Sequence, residues 1–252
     1  MMISQAKQIA ISLTFMILFQ PFLIQNIVSA EDQPESQWKR EIALGYNKST
    51  GNTEKSEFSI VGAIKREMEH AQFGSSVDIY YSSSDGQMDS QKWTSLTRYA
   101  FDFSDDYKWF NSYQVEVNHD RFADIDYRVL PSVGIGYWFA REEDWTWSVE
   151  GSAGYEMTKY RSDKDDDNSP VLLGRTFLKK KILDNAFISE DFSVIPTLDN
   201  TGTRFKSETE FTNPLSEGLD LSIKYIVNHD TEPSPDKKET DTRLITAIKY
   251  SF

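Results

Sequence analysis

Residues 127–139 constrain the fold most tightly. Tyr127, Val129, Pro131, Val133, Ile135, Tyr137 and Phe139 alternate with Arg128, Ser132, Gly134 and Gly136. Successive side chains of a strand point to opposite faces, so this segment has one apolar and one polar side along its whole length. In 107–117, Tyr107, Trp109, Asn111, Tyr113, Val115 and Val117 oppose Lys108, Ser112, Gln114 and Glu116, with Phe110 the exception. Trp145, Trp147, Val149, Ala153 and Tyr155 likewise oppose Thr146, Ser148, Glu150, Ser152 and Glu156. Strands of soluble domains centre on about 5–6 residues, whereas a strand tilted across a bilayer needs about 9–11. Length therefore favours a membrane.

The same period predicts about twelve strands: 38–47, 55–66, 72–83, 91–103, 107–118, 127–139, 145–157, 171–182, 187–198, 203–212, 218–228 and 241–252. The odd-numbered connections, 48–54, 84–90, 119–126, 160–170 and 229–239, are long and polar, with 199–202 the short exception. The even-numbered ones are tight, including 104–106, 140–144, 183–185 and 213–217. Long outer loops alternating with short periplasmic turns are the asymmetry of an outer-membrane barrel. Trp38, Trp93, Trp109, Trp145, Tyr107, Tyr127 and Tyr250 fall near strand ends, where interfacial aromatic girdles lie. The expected fold is an all-β, transmembrane, antiparallel up-and-down barrel; the alternative is a secreted β-sandwich with its apolar face inside.

The N-terminus fits that address. Lys7, an apolar run from Ile9 to Ile24 broken by Gln20-Pro21, and Val28-Ser29-Ala30 form a secretory signal with expected cleavage between Ala30 and Glu31. Residues 1–30 are then signal peptide, 31–37 a short N-terminal segment and 38–252 one barrel domain. Removing 1–30 takes away Lys7 and no acid, so the formal charge moves from −13 to −14. That charge disfavours nucleic acid as a partner. The expected partners are outer-membrane lipid, lipopolysaccharide and, during biogenesis, the barrel-assembly machinery. There is no cysteine, and the three histidines are His70, His119 and His229. Disulfides, thiolate chemistry and a polyhistidine metal site are therefore not expected, and no cofactor is implied.

Trp38-Lys-Arg-Glu-Ile-Ala-Leu-Gly-Tyr46, followed by Ser49-Thr-Gly-Asn-Thr-Glu54, resembles the opening of the YdiY-like family of salt-induced outer-membrane proteins, domain of unknown function 481. Pro131-Ser-Val-Gly-Ile-Gly-Tyr137, the Leu183-Asp184-Asn185 turn, and Asp241-Thr242 leading to Tyr250-Ser251-Phe252 extend the resemblance over about 38–252. It implies an outer-membrane barrel of unassigned activity linked to osmotic or salt stress. It transfers no catalytic residue.

Candidate chemistry is sparse. Asp163, Asp165 and Asp167 match positions one, three and five of a calcium loop, but Asn168 stands at the sixth and Gly174 at the twelfth. A solvated acidic loop is the expected reading, with weak divalent-cation binding the alternative. His119-Asp120 and His229-Asp230 meet outer loops without a serine-nucleophile motif. Alternation places Lys39, Glu41, Arg98, Asp102, Lys108, Glu116, Arg128, Glu150, Glu156, Arg204, Lys206, Glu208, Glu210, Asp220 and Lys224 toward the lumen. About eight strands are filled by side chains and 16–18 leave an open channel, so twelve lies between. Three functions remain open: a structural or stress-related barrel with a narrow or closed lumen, a narrow cation-leaning channel, and a lipid hydrolase built on His119 or His229. The last strand is expected to carry the assembly signal in Tyr250 and Phe252. Its outward row is Leu244, Thr246, Ile248, Tyr250 and Phe252; Arg243, Ala247, Lys249 and Ser251 face in, and Ile245 breaks the polar side.

Overall fold

Alternation resolves into twelve antiparallel strands in the computed structural model, which describes residues 38–49, 54–183, 185–199, 202–233 and 238–252. They are β1 Trp38–Ser49, β2 Lys55–Met68, β3 Ala71–Ser84, β4 Gln87–Asp102, β5 Trp109–Asp120 and β6 Ile125–Arg141. The second half comprises β7 Trp145–Tyr160, β8 Asp167–Lys181, β9 Phe187–Pro196, β10 Thr203–Ser216, β11 Leu219–Asp230 and β12 Thr240–Ser251. Each strand pairs with its sequence neighbours, and β1 pairs with β12, so the sheet closes on itself. The seam sets Ile42 opposite Tyr250 and Gly45 opposite Ala247. Beyond it, the Arg40 amide donates to the Phe252 carbonyl (3.0 Å) and the Phe252 amide to the Arg40 carbonyl (2.9 Å). Closure leaves no unpaired edge, the condition for crossing hydrocarbon with strands.

The expected signal peptide and its cleavage point lie outside the described residues, as do 50–53 and Asp184. Several connections differ from expectation: 160–170 shrinks to 161–166, 213–217 to 217–218, and 104–106 widens to 103–108. Residues 84–90 are not a loop: β3 and β4 run on to Ser84 and Gln87 and close through Asp85-Gly86. Both turn residues have positive φ, 49° and 78°. Asp-Gly suits this two-residue turn because its backbone twist matches that of the strands. The connection read as 119–126 shrinks to 121–124, because β5 and β6 pair beyond the apolar stretch. Strand propagation costs little once register is set, so polar residues extend the hairpins above the membrane.

The exterior separates the two architectures weighed from sequence. Leu44, Val133, Ile135, Phe139 and Leu244 are each more than half exposed, while their strand neighbours Leu130, Ser132, Trp138 and Ile245 are buried. A soluble sandwich would bury the apolar rows. Here they form the outer surface, which suits lipid and not water. At the end carrying both termini an aromatic belt runs Trp109–Tyr137–Phe139–Trp147, with ring centroids 5.0, 5.0 and 4.4 Å apart. Trp38 continues it against Phe73, and Tyr250 stacks on Phe252.

Candidate functional site

Closure turns the polar rows inward, and they fill the lumen in layers. Toward the end with both termini, the periplasmic end of an outer-membrane barrel, Ala100, Phe110 and Trp138 form a buried cluster. Phe110, the exception to polar alternation on β5, points inward and is fully buried. Gly136 makes room for it, since a Cβ there would lie 2.1 Å from the ring. Arg141 closes this floor, pairing with Asp102 at 2.6 Å and covering the Trp138 ring at 5.3 Å.

Above it lies an ionic layer. Arg98 on β4 reaches Glu150 on β7 at 2.6 Å, with only 17% and 5% of the two side chains exposed. Ser112 and Ser152 also donate to Glu150, the latter at 2.9 Å. Arg175 grips Asp191 through two bonds of 2.8 and 2.5 Å. Glu208 lies between Lys206 (2.9 Å) and Lys224 (3.6 Å), while Glu210 takes Ser222 (2.7 Å) and Lys249 (3.7 Å). Charges on distant strands interact as well. Lys206 on β10 is within electrostatic range of Glu116 on β5, and Arg98 on β4 of Arg175 and Asp191 on β8 and β9. These strands stand nearly opposite in a ring of twelve. The lumen is narrow here.

Toward the outer mouth, Glu156 is held between Arg128 (3.3 Å) and Arg204. With Asp167, Ser169 and Asp230 they border a cavity of about 60 Å³, room for a few waters. Arg243 covers the Tyr80 ring at 4.8 Å, and the Tyr80 hydroxyl donates to Glu57 at 2.9 Å. Two apolar patches interrupt the polar wall: Leu130, Val171 and Leu173 with Ile195, and Ile226, Ile245 and Ala247 with Ala43. Ile245, which breaks the polar side of β12, is therefore packing inside the barrel.

Of the residues read from sequence, Arg98, Asp102, Glu150, Arg128, Glu156, Arg204, Lys206, Glu208, Glu210 and Lys224 meet in these ion pairs. Glu41 pairs with Lys65 at 3.1 Å; Asp220 stands opposite Lys249 in register. Lys39 shares the inward row of Glu41 and makes no ion pair among the described residues. Lys108 differs: it lies in the exposed 103–108 turn, not on β5, and its carbonyl accepts from the Trp138 amide. Arg175 and Asp191 were not singled out in sequence. The run Val171-Leu172-Leu173 has no polar member, so β8 reveals its faces only through pairing with β7.

His119 and His229 are turned outward, His119 stacked on Trp93 (6.0 Å) and His229 tilted against Phe205 (5.8 Å). Their Nδ1 atoms lie 2.6 Å from the Asp126 carbonyl and 2.9 Å from the Thr240 hydroxyl. His70 stacks on Tyr107 at the opposite end. Asp163, Asp165 and Asp166 are exposed in a turn, whereas Asp167 and Asn168 begin β8, paired with Thr158 and Met157. Among the described residues no three acids or histidines converge as a metal site.

The model of a family described as a protein of unknown function, DUF481, matches residues 42–252. The chain belongs to the DUF481 family. No curated protein matches the sequence. Among solved structures, an outer-membrane channel from Pseudomonas putida F1 is 8% identical and aligns over 90% of this chain and 100% of its own, with TM-score 0.55. The NanC porin is 11% identical over 84% of this chain and 98% of its own, at TM-score 0.49. The KdgM porin in complex with disordered oligogalacturonate is 11% identical, over 84% and 99%, at TM-score 0.48. At such identities the likeness is one of fold. The DUF481 chain is a closed, antiparallel twelve-strand barrel of the outer membrane.

Proposed function

We propose that this DUF481 protein is a structural barrel of the outer membrane, acting in the envelope under osmotic or salt stress, with its lumen occluded by its own side chains. What supports this reading most is the ionic layer: Arg98 bonds Glu150 from three strands away at 2.6 Å, with the two side chains only 17% and 5% exposed. Beneath it Phe110, Trp138 and the Arg141–Asp102 pair form a floor. A hydrated ion crossing this layer has to displace paired charges, which is costly in a region of reduced dielectric. The stress context rests on the resemblance to the salt-induced family. A non-enzymatic role fits His119 and His229, which face away from the lumen and bond no serine among the described residues.

Purified protein inserted into planar bilayers tests the reading. It predicts no stepwise currents over many insertions verified by heat-modifiable gel mobility. Regular single-channel steps overturn it in favour of a narrow channel.

A further inference from the structure

Two lysines sit directly opposed near the end of the barrel that carries both termini. Lys39 and Lys65 are directly paired across β1 and β2. Trp38 packs outward on Phe73 and beneath Arg66, so the next residue, Lys39, points into the lumen, and Lys65 shares its row. Like charges directly opposite on a sheet destabilise it. From the far wall comes Lys179, on the inward row of β8 two residues beyond Phe177. It lies within electrostatic range of Lys65, Lys249, Lys39 and Glu41, although β8 is half the ring away from β2. All four lysines lie near the periplasmic ends of their strands.

The acids nearby do not pair with Lys39 or Lys179, and Glu67, two residues beyond Lys65 on the same row, forms no ion pair among the described residues. Glu41 is committed to Lys65 at 3.1 Å. Glu210 is shared between Ser222 and Lys249, and Asp220 stands opposite Lys249 on β11. Lys39 and Lys179 form no ion pair among the described residues; Lys179 instead has its Nζ 4.4 Å from the Phe187 ring centroid. Lys39 and Lys179 thus stand outside any ion pair among the described residues at a mouth open to solvent, with Lys65 half exposed beside Lys39. Lysine ammonium groups donate freely to oxygen acceptors, and a multivalent oxyanion can bridge several at once.

We propose that the periplasmic mouth of the lumen is a binding site for a multiply charged oxyanion, bearing phosphate, sulfate or clustered carboxylate groups, held by Lys39, Lys65, Lys179 and Lys249. The bound group relieves the repulsion between Lys39 and Lys65. It enters from the periplasm and meets the ionic layer above. The site does not depend on whether the lumen conducts, so stepwise currents in the bilayer test leave it standing.

Calorimetry with inorganic pyrophosphate on the purified, folded full chain tests it. The wild type is expected to give saturable heat that weakens as salt is raised. Kd should rise at least tenfold in the Lys39→Gln/Lys179→Gln double variant and stay unchanged in Lys164→Gln, on the exposed outer turn. Thermal melting separates a binding role from a structural one. Without anion the double variant should melt at or above the wild-type temperature, and pyrophosphate should raise the melting temperature of the wild type only. Absence of saturable heat in the wild type, equal affinity in the double variant, or a lower melting temperature of that variant without anion each overturns the proposal. Vesicles of phosphatidylglycerol in place of pyrophosphate should not compete, because the lysines face the lumen; competition by them overturns the luminal placement.

Discussion

Removing the Glu150 charge while keeping its shape, by Glu150→Gln, probes the centre of the ionic layer. Its partner Arg98 lies at 2.6 Å, and the two side chains are 17% (Arg98) and 5% (Glu150) exposed. Two unit charges about 4 Å apart attract by about 4 kcal/mol at an effective dielectric of about 20. Part of that offsets desolvation. Breaking one side of a buried pair costs more than the pair's net worth, about 3–5 kcal/mol, because the other charge stays behind without a partner. Glu150→Gln is therefore expected to cost about 3–5 kcal/mol. Arg98→Met should cost less, about 2–3 kcal/mol, since Ser112 and Ser152 still donate to Glu150. The double variant removes both charges of the pair and should cost no more than Glu150→Gln alone, giving a coupling of about 2–3 kcal/mol. The assay is reversible urea unfolding in lipid vesicles, followed by tryptophan fluorescence. Additive costs, with coupling below about 0.5 kcal/mol, would refute the view that this pair acts as one buried unit.

Gly136→Ala should lower stability by about 1–3 kcal/mol, because its Cβ would meet the Phe110 ring at 2.1 Å. Adding Phe110→Leu should recover part of that loss in urea midpoints, and no recovery means the clash lies elsewhere. Phe252→Ser should reduce the heat-modifiable band in outer-membrane fractions; wild-type assembly would remove Phe252 as a sorting signal. In the 103–108 turn the Ser104 hydroxyl, donating at 2.7 Å, holds the Asp106 carboxyl below the usual aspartate range. A depressed carboxyl stabilises the folded turn above the unfolded aspartate value, and that contribution is lost as pH falls through the folded value. Ser104→Ala should move the Asp106 titration upward in carboxyl-carbon NMR, and an unmoved curve contradicts the assignment.

Strand number, strand direction and the outward rows were legible because a membrane barrel writes its two environments into alternate residues. Tyr127 to Phe139 read as one lipid-facing row before any pairing was known. The Asp85-Gly86 turn was not read from sequence, because the polar flanks of the hairpin made 84–90 read as a loop. Phe110 and Ile245 stood out as breaks in alternation, yet a break alone does not say what fills the space. Gly136 on the neighbouring strand and Ile226 on another supply that answer.

Periodicity determined that this chain forms long two-faced strands, since an apolar and an aqueous environment impose opposite demands on consecutive side chains. Which charges meet was decided by the tertiary structure. Arg98 finds Glu150 three strands away, and Arg204 finds Glu156 three strands away. Register and closure set those distances, and Coulomb interactions depend on distance in space, which sequence order does not carry.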